Sequence, residues 1–350
     1  MIFWKRFARR LLCGLFSGIG VVSKTGRGSQ KQATILIYHS VIPRSSEFTR
    51  GLGVSMSPKT FERQMIYLSQ HYTILALRDL VQALEQHVVP ENAIVITFDD
   101  GFYDNYEFAW PILQCYSIPA TIFISPEAAD GDRVLWPNRL TFLRNRWGQK
   151  RMFALLLERW SELAASASAA DSWPEIVDKL AGTVPLKEME SFLEEIYNWA
   201  EVLESLATHP LYLGWTQIKE MQAGGAIEFG NHTLRHANLA LLDYEEQQEQ
   251  IIGARDSIKY HLGVDAPLPF AYPFGHPRHF CEYTPRLVRD SGHNCAVLGI
   301  PNPITAESSP FELGRFYIPE GSLAEFTCRL NNVTVRNLLT VFPGGRHGSG

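Results

Sequence analysis

Ala93-Ile94-Val95-Ile96-Thr97-Phe98-Asp99-Asp100-Gly101 joins a six-residue apolar, β-branched run to two carboxylates and a glycine. The run is short for a helix and does not alternate with polar residues, so it predicts a strand covered on both faces, as in a parallel sheet. Working outward, residues 33–38 (ATILIY) and 120–125 (ATIFIS) have the same character. Between these runs, residues 57–70, 77–86 and 105–115 show helical spacing, the first with Ser57 as cap and Pro58 in its opening turn. The rhythm returns late in the chain, with strands expected at 226–230, 270–272, 295–298 and 315–318. Helices are expected there at 215–223, 244–262 and 284–291. Alternating strand and helix predict parallel βαβ units and an α/β fold.

From residue 126 to 213 the strand signals stop. Helical stretches at 140–164 and 186–206 flank a polar Ala/Ser/Asp segment. Some ninety residues are long for a loop, and the reading is a helical insertion lying over one mouth of the sheet or barrel. The organisation expected is therefore a basic/apolar helix and linker over 1–32, a main domain over 33–320 carrying the insertion at about 126–213, and a C-terminal helix or tail over 321–350.

At the N-terminus Lys5, Arg6, Arg9 and Arg10 precede an apolar run at 11–22. That run falls short of the roughly 20 residues a bilayer span needs. Its order fits a signal peptide without a clear cleavage site, an amphipathic helix lying on a membrane surface, or a helix packed on the domain. The first two favour a membrane-associated or exported protein over a cytoplasmic one, with peripheral membrane contact through residues 1–22.

The 350 residues carry a formal net charge of -5, with 45% hydrophobic and 20% charged residues. This is the ordinary globular range and gives no electrostatic reason to expect a nucleic-acid partner. The five cysteines, Cys13, Cys115, Cys281, Cys295 and Cys328, form no CxxC pair. A disulfide framework or cysteine zinc site is therefore not expected.

Three polar clusters follow expected strands, at the edge where parallel α/β folds build their sites. In Thr97-Phe98-Asp99-Asp100-Gly101 consecutive side chains diverge, so one carboxylate can bind a metal while the other faces a water. The same residues make a good turn. In His232-Thr233-Leu234-Arg235-His236 the four-residue spacing brings two imidazoles to one face of a helical turn. Two histidines and one carboxylate suit a divalent metal and leave coordination positions open. Phe270-Ala271-Tyr272-Pro273-Phe274-Gly275 is, by itself, only a turn after an apolar run.

In this order, TFDDG, HTxxH and YPFG resemble the motifs of the NodB-type polysaccharide deacetylases, carbohydrate esterase family four. The resemblance covers residues 33–125 and 214–320, and Ile37-Tyr38-His39-Ser40-Val41 is similar to the family's first strand. It implies an irregular (β/α) barrel of about seven parallel strands. It further implies one divalent metal ion, zinc before cobalt or nickel, held by Asp100, His232 and His236. Asp99 would be the general base, and the Phe274 N–H would hold the oxyanion with Tyr272 nearby. The implied reaction removes N- or O-acetyl groups from sugars of a polysaccharide or glycolipid.

The chain also departs from the family pattern. Ala271 stands where an arginine often holds the base, and the last strand offers Arg315 in place of the usual histidine acid. Arg315 is expected either to orient the base or to grip substrate. The acid is left to His39, His276 or His293, the latter two reading better as ordinary bonded histidines. Two rival functions stay open: hydrolysis of another non-peptide C–N bond, such as a formamide or cyclic amide, and non-catalytic glycan binding. A long aromatic groove would favour a polymer, and a closed pocket under the insertion a small substrate.

Overall fold

The β-branched runs pair into one parallel sheet in a computed structural model that describes residues 32–330 apart from residue 132. In chain order the strands are β1 (Ala33–Tyr38), β2 (Ser40–Val41), β3 (Ser55–Met56), β4 (Thr73–Leu75), β5 (Ala93–Phe98), β6 (Ala120–Ile124), β7 (Ile227–Asn231), β8 (Pro269–Ala271), β9 (Cys295–Val297) and β10 (Arg315–Tyr317). Seven follow the order β10-β1-β5-β6-β7-β8-β9, all parallel. Leu298 N–H donates to the Leu313 carbonyl at 2.8 Å, just before β10, so the barrel nearly closes. β4 pairs with the first half of β5, and β2 pairs with β3 apart from the barrel. These three short strands carry too few residues to show a period in the sequence.

Every residue of β5 and β6 is buried, as their unbroken apolar character requires. β1 and β5 pair in register from Ala33–Ala93 to Tyr38–Phe98, which brings His39 and Asp99 to the same level. The expected first helix forms at Pro58–His71, with the Ser57 hydroxyl accepting from Thr60 N–H.

The stretch expected to be a helical insertion holds helices at Pro126–Ala129, Trp136–Trp147, Gln149–Arg159, Trp173–Thr183, Leu186–Ile196 and Ala200–Thr208. Two expectations are corrected. The helix expected over 140–164 breaks at Gly148, whose φ of 87° no α-helix accommodates. The helix expected over 186–206 is two, Leu186–Ile196 and Ala200–Thr208. At the end of the polar segment between them and Gln149–Arg159, Ser172 and Glu175 form a capping box that starts helix Trp173–Thr183. The insertion has its own core around Trp136, Leu143, Phe153, Trp173, Leu180 and Leu193, and Phe274 of the barrel packs against it.

Residues 323–330 form a helix of their own. No described helix is long and apolar enough to cross a membrane. The N-terminal helix, its membrane contact and the tail beyond residue 330 lie outside the described residues.

Candidate active site

β5 ends at Phe98, and the chain must turn at once to keep both following carboxylates at the barrel mouth. Asp100 and Gly101 do so with positive φ, 69° and 65°. A Cβ on Gly101 would lie 2.7 Å from the Ile124 side chain, so only glycine fits this turn. The His232–His236 segment is not the helical turn its spacing suggested. Thr233 and His236 have φ of 63° and 56°, and this left-handed loop brings the imidazoles to 4.8 Å between ring centres. A positive φ is unfavourable for a β-branched residue. Thr233 is held there because its N–H donates to Asn231 Oδ1 at 2.8 Å and its hydroxyl accepts from Ala237 N–H at 3.2 Å. Of seven non-glycine residues with positive φ among the described residues, four are Asp100, Thr233, His236 and Phe274. Such strain gathers where function over-determines the backbone.

Asp100 Oδ1 lies 3.6 Å from His232 Nε2 and 3.4 Å from His236 Nε2. One ligand atom from each residue falls within 4.8 Å of the others. His232 Nδ1 faces the Ala271 carbonyl at 2.8 Å. A carbonyl only accepts, so Nδ1 carries the proton and Nε2 keeps its lone pair toward Asp100, the usual outer support of a metal-ligating histidine. Burial pushes the Asp100 carboxyl up to about 8, and the Asp99 charge adds to this. Burial likewise lowers both histidines below the ordinary imidazole range. An acidic side chain and two neutral imidazoles that crowd their acceptor atoms together in a buried site fit a divalent cation.

Asp99 is treated oppositely. Burial would raise it, but Arg315 overcomes that and holds the carboxyl well below the usual range. Arg315, buried to 1% exposure, clasps both Asp99 oxygens at 2.7 Å. It also donates to Thr97 Oγ1 at 3.1 Å and to the Leu298 carbonyl at 2.9 Å. Four of its five donors are thereby committed. Of the two roles the sequence left for Arg315, the geometry supports orienting Asp99. Ala271, where the family often has its arginine, instead contributes the carbonyl that fixes His232.

His39 lines the same cavity as Asp99, Asp100, His232 and His236, and its buried Nδ1 has no hydrogen-bond partner. Burial lowers it to about 4, leaving a neutral imidazole near pH 7. His276 is exposed and accepts from Arg278 N–H, and His293 is enclosed by Val288, Ser291 and Asn231. Neither lines the cavity. The expectation for Tyr272 is corrected: its side chain is 1% exposed, stacks on Phe280 and donates to the Phe311 carbonyl, away from the cavity. Phe274 does line the cavity, with φ of 61°. Behind it a Cβ on Gly275 would fall 2.1 Å from Gly299 N, so glycine is required.

The sequence reading missed the supports. A π turn follows the Asp99–Asp100 loop at Asn105–Ala109 and another lies in the helical segment after the His232–His236 loop, at Glu249–Gly253. Asn105 donates to the His39 carbonyl at 2.7 Å, while Asp104 accepts from Ser40 Oγ and Val41 N–H. Asn231 donates to the Ile251 carbonyl at 2.8 Å and Arg235 N–H to Gln250 Oε1 at 3.2 Å. The one signal for these was a polar Asn231 at the end of a buried strand. The insertion also lines the cavity, through Leu135, Pro137, Asn138, Pro174, Val177 and Asp178.

A parallel barrel with an Asp/His/His cluster and a clamped carboxylate at its strand ends is the frame of a metal-assisted hydrolase. A sequence model of the polysaccharide deacetylase family matches residues 86–294, more than half of the chain, and the chain belongs to that family. The Bacillus subtilis protein YxkH is 37% identical over 92 residues, 26% of this chain and 30% of that protein. The poly-beta-1,6-N-acetyl-D-glucosamine N-deacetylase of Staphylococcus aureus is 38% identical over 71 residues, 20% of this chain and 24% of that protein. The matched stretch thus spans less than a third of these relatives. Among solved structures, the Streptococcus pyogenes deacetylase PplD, in complex with acetate, superposes with a TM-score of 0.54 at 19% identity. That match covers 88% of this chain and 97% of PplD. A de-N-acetylase from Aggregatibacter actinomycetemcomitans gives 0.56 at 15% identity, over 85% and 99%. At such identities the likeness is one of fold.

Proposed function

We propose that this protein is a metal-dependent deacetylase that removes N-acetyl, or O-acetyl, groups from sugars of a polysaccharide or glycolipid. The observation that carries this reading is the division of labour between adjacent carboxylates: Asp99 clamped by Arg315, Asp100 facing two histidines. Asp100, His232 and His236 would hold one divalent ion, zinc before cobalt or nickel. Such an ion supplies a Lewis acid for the acyl carbonyl and lowers the pKa of water. Asp99, ionised and fixed in direction, accepts the proton from the attacking water. The Phe274 N–H donates to the oxyanion, a role its neighbour Pro273 cannot fill. His39, a neutral imidazole on the same floor, is assigned to take up the proton that Asp99 receives from the water and to pass it to the leaving atom. The names of the S. aureus and S. pyogenes relatives support acetylated glycans as substrates. The basic and apolar residues 1–22 support work at the membrane or in the cell envelope.

The test is acetate release from a panel of N- and O-acetylated glycans with zinc, cobalt or nickel added to chelated protein. Metal-dependent acetate from one glycan upholds the reading. No acetate from any glycan, with one metal bound per chain, overturns it in favour of another acyl or amide substrate.

A further inference from the structure

The segments around the cavity mouth are tied to one another in a complete ring. Loop 46–54 meets helix Trp136–Trp147 through Asn138 Nδ2 donating to the Phe48 carbonyl at 3.1 Å and Phe48 stacked on Phe142 at 4.8 Å. That helix meets Trp173–Thr183 through Trp173 Nε1 donating to Thr141 Oγ1 at 2.8 Å. Asp178 on the second helix pairs with Arg278 and lies 3.6 Å from His279, joining the insertion to loop 274–280. Gly299 N–H donates to the Gly275 carbonyl at 2.8 Å, and Arg315 N–H to the Ile300 carbonyl at 2.9 Å, which carries the ring to β10. Tyr317 completes it, its hydroxyl donating to the Gly53 carbonyl.

The cavity, half open to solvent, holds about 280 Å³, just below the roughly 300–1,000 Å³ span of ordinary ligand pockets. The barrel supplies the floor, with His39, Asp99, Asp100, His232 and His236. Of the wall side chains, Leu52, Val54, Leu135, Pro137, Pro174 and Val177 are apolar. Asn138 has spent its amide on Phe48 and its carbonyl oxygen on the Tyr212 hydroxyl. Asp178 is the charged group that the insertion contributes to the wall.

A sugar inside a polymer needs two gaps in such a ring, one for each neighbouring unit, and the ring is tied at every junction. We infer that the cavity takes one acylated sugar from a chain end or a short glycan, and that it does not act along the interior of a long polymer. This rests on the deacetylase reading above and narrows its substrate.

The test uses the zinc-loaded full chain with N-acetylhexosamine oligomers of increasing length. Acetate release is followed and the deacetylated units are mapped by mass spectrometry, with affinities measured calorimetrically on Asp99→Asn protein. The expected result is loss of acetyl from a terminal unit only, and kcat/KM and Kd that level off beyond two units. In Asp178→Ala, which unties the insertion from loop 274–280, efficiency should no longer level off beyond two units. Interior deacetylation, or efficiency that climbs with every added unit, overturns the inference while leaving the deacetylase reading standing. Absence of acetate from every oligomer defeats the deacetylase reading instead, and the affinities then decide the pocket. Equal affinity for short and long oligomers upholds it, and rising affinity or no binding overturns it.

Discussion

Arg315→Met removes the Arg315–Asp99 clamp together with the hydrogen bonds to Thr97 and Leu298. The guanidinium is almost wholly buried, with four hydrogen bonds to Asp99, Thr97 and Leu298. Removing one partner of a buried ion pair strands the other, at about 3–5 kcal/mol. For a domain of this size that is roughly a 10 °C fall in Tm. The functional effect has a definite sign. With Arg315 in place, the Asp99 carboxyl titrates below the unfolded-chain value. The pair therefore stabilises the fold above about pH 4 and is lost as pH falls through the folded value. Without Arg315, the largest influence opposing burial is gone and the Asp99 carboxyl rises, so the base is protonated over more of the acid side. Acetate release by Arg315→Met should fall about a hundredfold near neutrality and recover partly as pH rises. Arg315→Lys, which keeps the charge but not the fork, should fall between the two. Thermal unfolding followed by circular dichroism and a pH profile of acetate release are the assays. An Arg315→Met protein with unchanged Tm and an unmoved acid limb would refute the reasoning.

His232→Ala and His236→Ala should each lose bound metal, measured by elemental analysis, while unfolding cooperatively within a few degrees of wild type. Full metal content in either would exclude that residue as a ligand. Gly275→Ala forces a Cβ against Gly299 N and should lower acetate release at least tenfold by displacing the Phe274 N–H, with intact metal content as the control. Burial lowers His293 and His279 to about 4. Each is neutral when folded, so its contribution to stability is present above pH 6.5 and is lost as pH falls from 6.5 towards 4. Denaturant titrations should show that decline, and His293→Gln should make it shallower; an unaltered slope counts against the assignment.

The seven strands of the barrel and the five residues at its floor were legible because they are local signals: apolar or β-branched runs, each followed by polar residues. Arg315 was legible only as a departure. That it clasps Asp99, 216 residues away, follows from β10 closing the barrel beside β1, which a period cannot show. The His232–His236 spacing gave the right neighbours by the wrong geometry, because Asn231 and Ala237 pin Thr233 into a left-handed turn. Tyr272 follows a buried strand as a site residue would, yet its ring has a better partner in Phe280. The cavity wall was least legible: Pro174, Val177 and Asp178 come from a helix started by a capping box inside an otherwise polar segment.

The most direct test of the account compares wild type with Asp99→Asn, each shown to bind one zinc per chain, for acetate release from one N-acetylated oligomer. The account predicts equal metal content, zinc-dependent acetate from wild type, and a loss of about a hundredfold or more in Asp99→Asn. Acetate released as fast by Asp99→Asn, or by wild type stripped of metal, would contradict it.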